Sequence, residues 1–284
     1  MAPEQPPERP GEPVLPVSAM RPGDHLCLAY VNDEERHAVL TAFLSEGLRA
    51  GDALIYLVDG EPPGSAAERL RDGFGAALDD GRLRVLPTAG TDIRAVIDSA
   101  LARGHPAVRV TDEAHPSLRG WPGTGRFAEY EGALHRAVTR SARPAMALCQ
   151  YDRRWYTGDH LREVGGHHTG RAGADAVFDN GVLEIVPLFA PPGLRLSGAI
   201  DESTLPALVE ALRATGDGAA HLCLDLSRLD FCDLDGLRTL IRANETSNVL
   251  DRQVILRSMP GCVELMLRAS GWATAPGIVA EAAP

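Results

Sequence analysis

The sequence predicts a two-domain α/β protein, a larger parallel-sheet domain followed by a smaller α/β domain. Three observations carry this reading. Short apolar runs alternate with helix-period segments over residues 25–151, the pattern of strand–helix–strand units on a parallel sheet. That pattern lapses in a Gly-, His- and Ala-rich stretch, residues 158–180, and resumes beyond it with a different spacing. A length of 284 residues is enough for each half to bury its own core.

Each element follows from local chemistry. Residues 25–30 (HLCLAY) read as the first strand. Asn32 and Asp33 can cap the next helix, whose apolar positions are Ala38, Val39, Ala42, Phe43 and Leu48. Gly51 ends it. Residues 53–58 (ALIYLV) form a buried-strand run, followed by a loop over 59–64 and a short helix. Residues 83–86, 107–111 and 145–151 (AMALCQY) complete the strands, with helices over 93–103 and 126–139. Residues 158–180 read as a short final helix and an interdomain linker, with the boundary near residue 175. In the second half, 182–188 and 194–196 read as strands joined by the turn Pro191-Pro192-Gly193. Helices over 203–213, 237–248 and 261–269 then alternate with strands over 222–226 (LCLDL) and 254–256.

Composition removes several function classes. The net charge of -11 argues against nucleic acid as the main partner, because phosphate binding needs a basic surface. All 28 basic residues counted as Lys or Arg are arginine. The missing lysine excludes a phosphate-loop lysine, a Schiff base and a pyridoxal phosphate site. No run of about 18 apolar residues is present, so no membrane span is expected. The N-terminus (MAPEQPPERPGEPVLP) lacks a basic start and apolar core, so residues 1–19 read as a disordered leader and the compartment as cytoplasmic. The cysteines Cys27, Cys149, Cys223, Cys232 and Cys262 form no C-x-x-C pair, and each reads as a small buried hydrophobe. His160, His167 and His168 lie in the Gly-rich stretch without a cysteine or carboxylate at ligand spacing, so no metal site is expected. No cofactor motif, nucleophile elbow or H-E-x-x-H sequence appears, and no catalytic residue is assigned.

Two segments of the second half carry a family pattern. Residues 194–201 (LRLSGAID) and 222–240 (LCLDLSRLDFCDLDGLRTL) resemble the STAS family of anti-sigma-factor antagonists over residues 181–275. The expected chemistry of the second segment can be stated directly. The strand ends at Asp225-Leu226-Ser227, Phe231 anchors the turn in the core, and Asp233 lies near the N-cap of a helix starting at Gly236. A carboxylate is favoured there by the helix dipole, and added phosphate would change a contact surface. The resemblance implies that a kinase-type anti-sigma factor phosphorylates a serine directly after that aspartate. Here the position is Leu234, followed by Asp235. Leucine has no hydroxyl, so the family's switch cannot operate at that position. Asp233, Leu234, Asp235 and Gly236 are the expected partner-binding residues, the partner being an anti-sigma factor or another STAS protein.

The first half carries a second pattern. Residues 21–30 (RPGDHLCLAY), 47–59 (GLRAGDALIYLVD), Thr111-Asp112-Glu113, 118–122 (LRGWP), 129–131 (EYE) and 148–153 (LCQYDR) resemble the MEDS family of sensory domains over residues 20–165. The resemblance implies a RecA-like α/β core and the sensing of a small organic molecule. The segment between Leu86 and Arg94 is shorter than the family's. Because ligands of open parallel sheets bind at the carboxyl ends of strands, Tyr30, Glu113, Gln150 and Tyr151 are expected pocket residues, with His25 on the first strand. Nucleotide hydrolysis is not expected, since Val31-Asn32-Asp33-Glu34-Glu35 places three carboxylates where phosphates would dock.

The expected domain layout is 1–19 leader, 20–165 sensory domain, 166–180 linker, 181–275 STAS domain and 276–284 tail. The expected function is a non-enzymatic signalling regulator, its STAS module controlled by the ligand-sensing domain. An α/β enzyme with an accessory STAS tail and a ligand-free STAS scaffold are the alternatives.

Overall fold

The computed structural model describes residues 14–113, 120–139, 144–215, 221–243 and 252–281. Residues 1–13 of the expected leader, Leu118 and Arg119 of the LRGWP segment, and the end of the helix expected over 237–248 (residues 244–248) lie outside them. The chain divides into two compact units, Met1–Ala174 and Asp175–Pro284.

The first unit is built on seven strands: β1 (Val14–Pro16), β2 (His25–Tyr30), β3 (Ala53–Val58), β4 (Leu83–Pro87), β5 (Val108–Glu113), β6 (Ala145–Asp152) and β7 (Gly170–Gly173). Their order is β1-β7-β2-β6-β5-β3-β4, and every pairing is parallel. The helices are α1 (Asp33–Ala50), α2 (Pro63–Asp79), α3 (Ile93–Ala102), α4 (Gly125–Thr139) and α5 (Gly158–His167). A parallel sheet needs cover on both faces, which is why β3 is apolar and buried at all six positions.

Strand alternation divides this core into two layers. Leu26, Leu28, Leu54, Met146 and Leu148 pack on the first face with Phe43 and Leu44 of α1 and Phe74 of α2. Cys27, Ile55, Val108, Val110, Ala147 and Cys149 pack on the second face with Ile97 of α3, Phe127 and Leu134 of α4 and Val164 of α5. A buried ion pair, Arg109 Nε to Asp52 at 2.8 Å, fastens β5 to the start of β3.

Two expected unstructured segments are strands. Residues 14–16, assigned to the leader, form β1 and pair with residues 171–173, assigned to the linker. Val17, also in the expected leader, is fully buried. Residues 14–17 (VLPV) are too short and proline-interrupted to announce a strand, and β7 is half glycine. Their order comes from pairing with each other and with β2. The helix after residue 62 is also longer than expected, extending over 17 residues.

The second unit has strands β8 (Phe178–Asp179), β9 (Leu183–Phe189), β10 (Pro192–Ile200), β11 (His221–Cys232), β12 (Gln253–Arg257) and β13 (Ile278–Glu281) in the order β13-β12-β11-β10-β9-β8. Its described helices are α6 (Leu205–Ala214), α7 (Leu234–Ile241) and α8 (Gly261–Ala269). Pairings from β10 to β13 are parallel, and β9 runs antiparallel to both neighbours. The expected tail thus contributes the edge strand β13. Gly198 explains part of the LRLSGAID pattern. Its φ of +94° lies in the left-handed region, and a Cβ there would stand 2.2 Å from the Val182 carbonyl oxygen. The β10–β11 register shifts between Gly198 and Ala199, so the glycine permits a bulge that redirects the strand toward α6. No helix among the described residues is long and apolar enough to cross a membrane.

Candidate functional site

The first candidate site lies where β3 and β5 end. These neighbours are followed by connections that diverge, from β3 outward to β4 and from β5 back to β6. Such a switch point leaves a crevice at the carboxyl edge of an open sheet. Glu113 at the end of β5 is the hub. It accepts hydrogen bonds from Tyr56 Oη and Arg36 Nη2, and from Arg69 Nη2 at 3.0 Å. Arg36 also donates from Nε to Gln150 Oε1 at 2.8 Å and from Nη2 to Tyr56 Oη at 2.8 Å. Gln150 Nε2 in turn donates to Thr111 Oγ1 at 2.9 Å, which donates to the Leu148 carbonyl at 2.9 Å. The Arg36 guanidinium carbon lies 5.9 Å from the Tyr30 ring centroid.

This constellation is partly open, with the Arg36 and Glu113 side chains 23% and 20% exposed. Burial opposes the Arg36 charge, but the combined attraction of Tyr56, Glu113 and Tyr30 outweighs it and raises the guanidinium pKa. Burial, with the Glu113 charge adding to it, pushes the Tyr56 phenol upward against the pull of Arg36. Burial likewise pushes Tyr30 up to about 12. Both phenols therefore remain protonated donors. The arrangement can offer arginine and tyrosine donors beside one carboxylate to a small polar molecule.

The second face of the same sheet carries a closed cluster. His25 of β2, Glu131 of α4, Cys149 of β6 and His168 each supply one donor atom within 4.8 Å of the others. His25 Nε2 is 3.3 Å from Cys149 Sγ and 3.5 Å from Glu131 Oε2. His168 Nε2 is 3.6 Å from the same oxygen. The side chains of His25, Glu131 and His168 are 0% exposed. Tyr151 Oη donates to Glu131 Oε1 at 2.6 Å, and His168 Nδ1 contacts the Val164 carbonyl at 2.7 Å.

In the second unit, Asp233 is the N-cap of α7, and its Oδ1 accepts from Gly236 N–H at 2.7 Å. Gly236 must be small, because a Cβ there would lie 2.5 Å from Ile200 Cγ2 and 3.0 Å from Cys232 Sγ. Asp225 accepts from Arg195 Nε at 2.8 Å and from Ser227 N–H at 3.0 Å, which outweighs burial and lowers its pKa. Asp235 pairs with Arg238 one turn on. Phe231 departs from expectation. It is 52% exposed and does not anchor the turn, which is held instead by buried Leu229 and Cys232. Phe231 lies within a strand that runs on to Cys232, so alternation directs it away from the face that Cys232 fills. Leu234 is also exposed, at 50%.

The five expected ligand residues therefore do not share one pocket. Glu113, Gln150 and Tyr30 belong to the first-face constellation. His25 and Tyr151 lie fully buried on the second face, since strand alternation sends Gln150 and Tyr151 to opposite sides. The expectation that every cysteine is an inert hydrophobe also fails twice, because Cys149 faces histidine and carboxylate and Cys262 is exposed. His160 is a cap, exchanging bonds with Thr157, and His167 pairs with Glu163 on an exposed helix face. Arg36, Tyr56 and Glu131 were missed. Tyr56 is the one polar tip in an apolar strand run. Glu131 occupies a core position of α4, in helical register with Phe127, Leu134 and Val138. A carboxylate in such a stripe is the signal that could have found it.

Residues 24–169 match the family model MEDS, described as the methanogen/methylotroph, DcmR sensory domain, and residues 188–280 match one described as Mlab, STAS domain. No curated protein matches the chain. Among solved structures, an anti-sigma factor antagonist from Mycobacterium paratuberculosis is 24% identical, covering 31% of this chain and 74% of its own, with a TM-score of 0.26. The RadB recombinase is 16% identical, covering 59% of this chain and 81% of its own, with a TM-score of 0.34. The first match spans more than half of the sequence: the chain belongs to the MEDS family and carries a STAS domain after its sensory domain.

Proposed function

We propose that this protein is a non-enzymatic signalling regulator. Its MEDS domain binds a small polar organic molecule at the Arg36–Tyr56–Glu113–Gln150 constellation, and its STAS domain docks a kinase-type anti-sigma factor without being phosphorylated. The carrying observation is the pair Phe231 and Leu234, exposed on either side of the Asp233 cap, where the STAS resemblance implies the phosphoacceptor would stand. An apolar pair left in water beside a capped helix start suits a constitutive protein contact. Support for a non-enzymatic first domain comes from α1. Asn32 and Glu35 satisfy backbone N–H groups at its start, and Asp33, Glu34 and Glu35 occupy the first turn, which disfavours a phosphate there.

The test uses the full chain and a purified kinase-type anti-sigma factor with ATP. Binding without phosphate incorporation is expected, and Phe231→Ser combined with Leu234→Ser should weaken it about tenfold or more. Leu234→Ser alone should restore phosphorylation. An anti-sigma factor that ignores the wild-type chain would overturn the docking reading. For the sensor, a panel of small alcohols, aldehydes and carboxylates should contain a compound that raises the thermal midpoint of the wild type but not of Glu113→Gln.

A further inference from the structure

We propose that His25, Glu131, Cys149 and His168 form a four-coordinate site for a borderline divalent metal ion of the zinc class, buried on the second face of the MEDS sheet. The four donors come from four separate elements, β2, α4, β6 and the residue directly after α5, and converge to within 4.8 Å. Four of the six donor–donor spacings lie close to the edges of a tetrahedron. Metal–nitrogen and metal–oxygen bonds of about 2.0–2.1 Å place tetrahedral ligands about 3.4 Å apart, and a thiolate at about 2.3 Å places sulfur about 3.6 Å from them. The observed separations are 3.5 and 3.6 Å from Glu131 Oε2 to the two imidazole nitrogens, 4.0 Å from that oxygen to Cys149 Sγ, and 3.3 Å from sulfur to His25 Nε2. The two nitrogen–oxygen distances exceed an ordinary hydrogen bond yet match ligand edges.

The surroundings orient the donors as an outer shell does. A carbonyl can only accept, so the 2.7 Å contact of His168 Nδ1 with the Val164 oxygen puts the proton on Nδ1. In the neutral ring, Nε2 then presents a lone pair toward the Glu131 carboxylate. Tyr151 Oη occupies Glu131 Oε1 and leaves Oε2 facing the cluster. An imidazole lone pair, a carboxylate oxygen and a thiol sulfur gathered this closely, and sealed from water, suit a cation between them. Two imidazoles, one thiolate and one carboxylate suit zinc rather than magnesium or calcium. Four protein ligands in a fully buried position describe a closed site, which would tie the start of β7 to β2, β6 and α4.

The experiment uses the tag-free full chain, grown with zinc and kept reduced. About one equivalent of zinc is expected on purification, and its removal should lower the unfolding midpoint by about 5–10 °C. Reloading with cobalt(II) should give the strong visible bands of a tetrahedral ion and a near-ultraviolet thiolate band. Cys149→Ser should lose the thiolate band, whereas Cys262→Ser, which removes the exposed thiol, should keep it. A folded, stripped wild-type chain that takes up no cobalt, or gives only a weak octahedral spectrum, overturns the site, as does loss of the band in Cys262→Ser. Should Cys149→Ser not fold, the wild-type metal content and cobalt spectrum decide alone. None of these outcomes depends on the partner or the small ligand.

Discussion

The two faces of the MEDS sheet are made from the same strands, yet they treat a carboxylate in opposite ways. Glu113, on the first face, sits at the strand ends, partly open, with Arg36 and Arg69 supplying charge. Glu131, on the second face, is wholly buried among two imidazoles, a thiol and a tyrosine. An arginine-satisfied carboxylate near water can exchange its partners for a ligand at modest cost. A carboxylate sealed from water cannot, because any lost partner leaves a buried charge. The first face is thus suited to reversible binding and the second to a permanent tie.

The strongest challenge to this contrast is Glu131→Ala. It should cost about 3–5 kcal/mol in urea unfolding, since it opens a cavity at a fully buried position and strands Tyr151 Oη. A loss under about 1 kcal/mol would show that the closed cluster holds nothing together. Arg36→Met should cost less, about 1–3 kcal/mol, because the site is partly wet and water can serve Glu113. It should also abolish ligand-induced thermal shifts, and retention of those shifts would move the binding site away from this constellation.

Tyr30 provides a smaller test by pH. Burial raises its folded pKa to about 12, above the unfolded value near 10. The neutral phenol is therefore the favoured folded form. Its contribution is fully present below pH about 10 and is lost as the pH rises toward about 12. Unfolding measured across that window should show a steeper decline for the wild type than for Tyr30→Phe. Equal slopes would mean that Tyr30 is hydrated. The smallest stability effect belongs to the second unit. Phe231→Ser with Leu234→Ser should change unfolding by less than about 0.5 kcal/mol, as both side chains already meet water. A larger loss would mean that Phe231 supports the fold rather than a partner.

Much of the architecture was legible because it rests on local chemistry. The strand runs 25–30 and 53–58, the Asn32 cap and the glycine-bearing patterns around Gly198 and Gly236 each carry their reason within a few residues. Glu113 and Gln150 could be placed at strand ends for the same reason. Grouping Tyr151 with them ignored the two-residue period, which assigns adjacent residues to opposite faces. Phe231 was misassigned because the strand continues past Ser227, a length set by pairing with β10 rather than by its own sequence.

The sequence by itself determined the domain types, the presence of a leucine, which carries no hydroxyl, at position 234 and the absence of any lysine chemistry, since these depend only on which residues stand at which positions. Tertiary structure alone decided that β1 and β7 exist, because each is ordered by a partner more than 150 residues away in the chain. It also decided which side chains converge. His25 and His168 meet across 142 intervening positions, with Glu131 and Cys149 drawn from two other elements, and only the packing of α4 and α5 on the sheet brings them within reach of one ion.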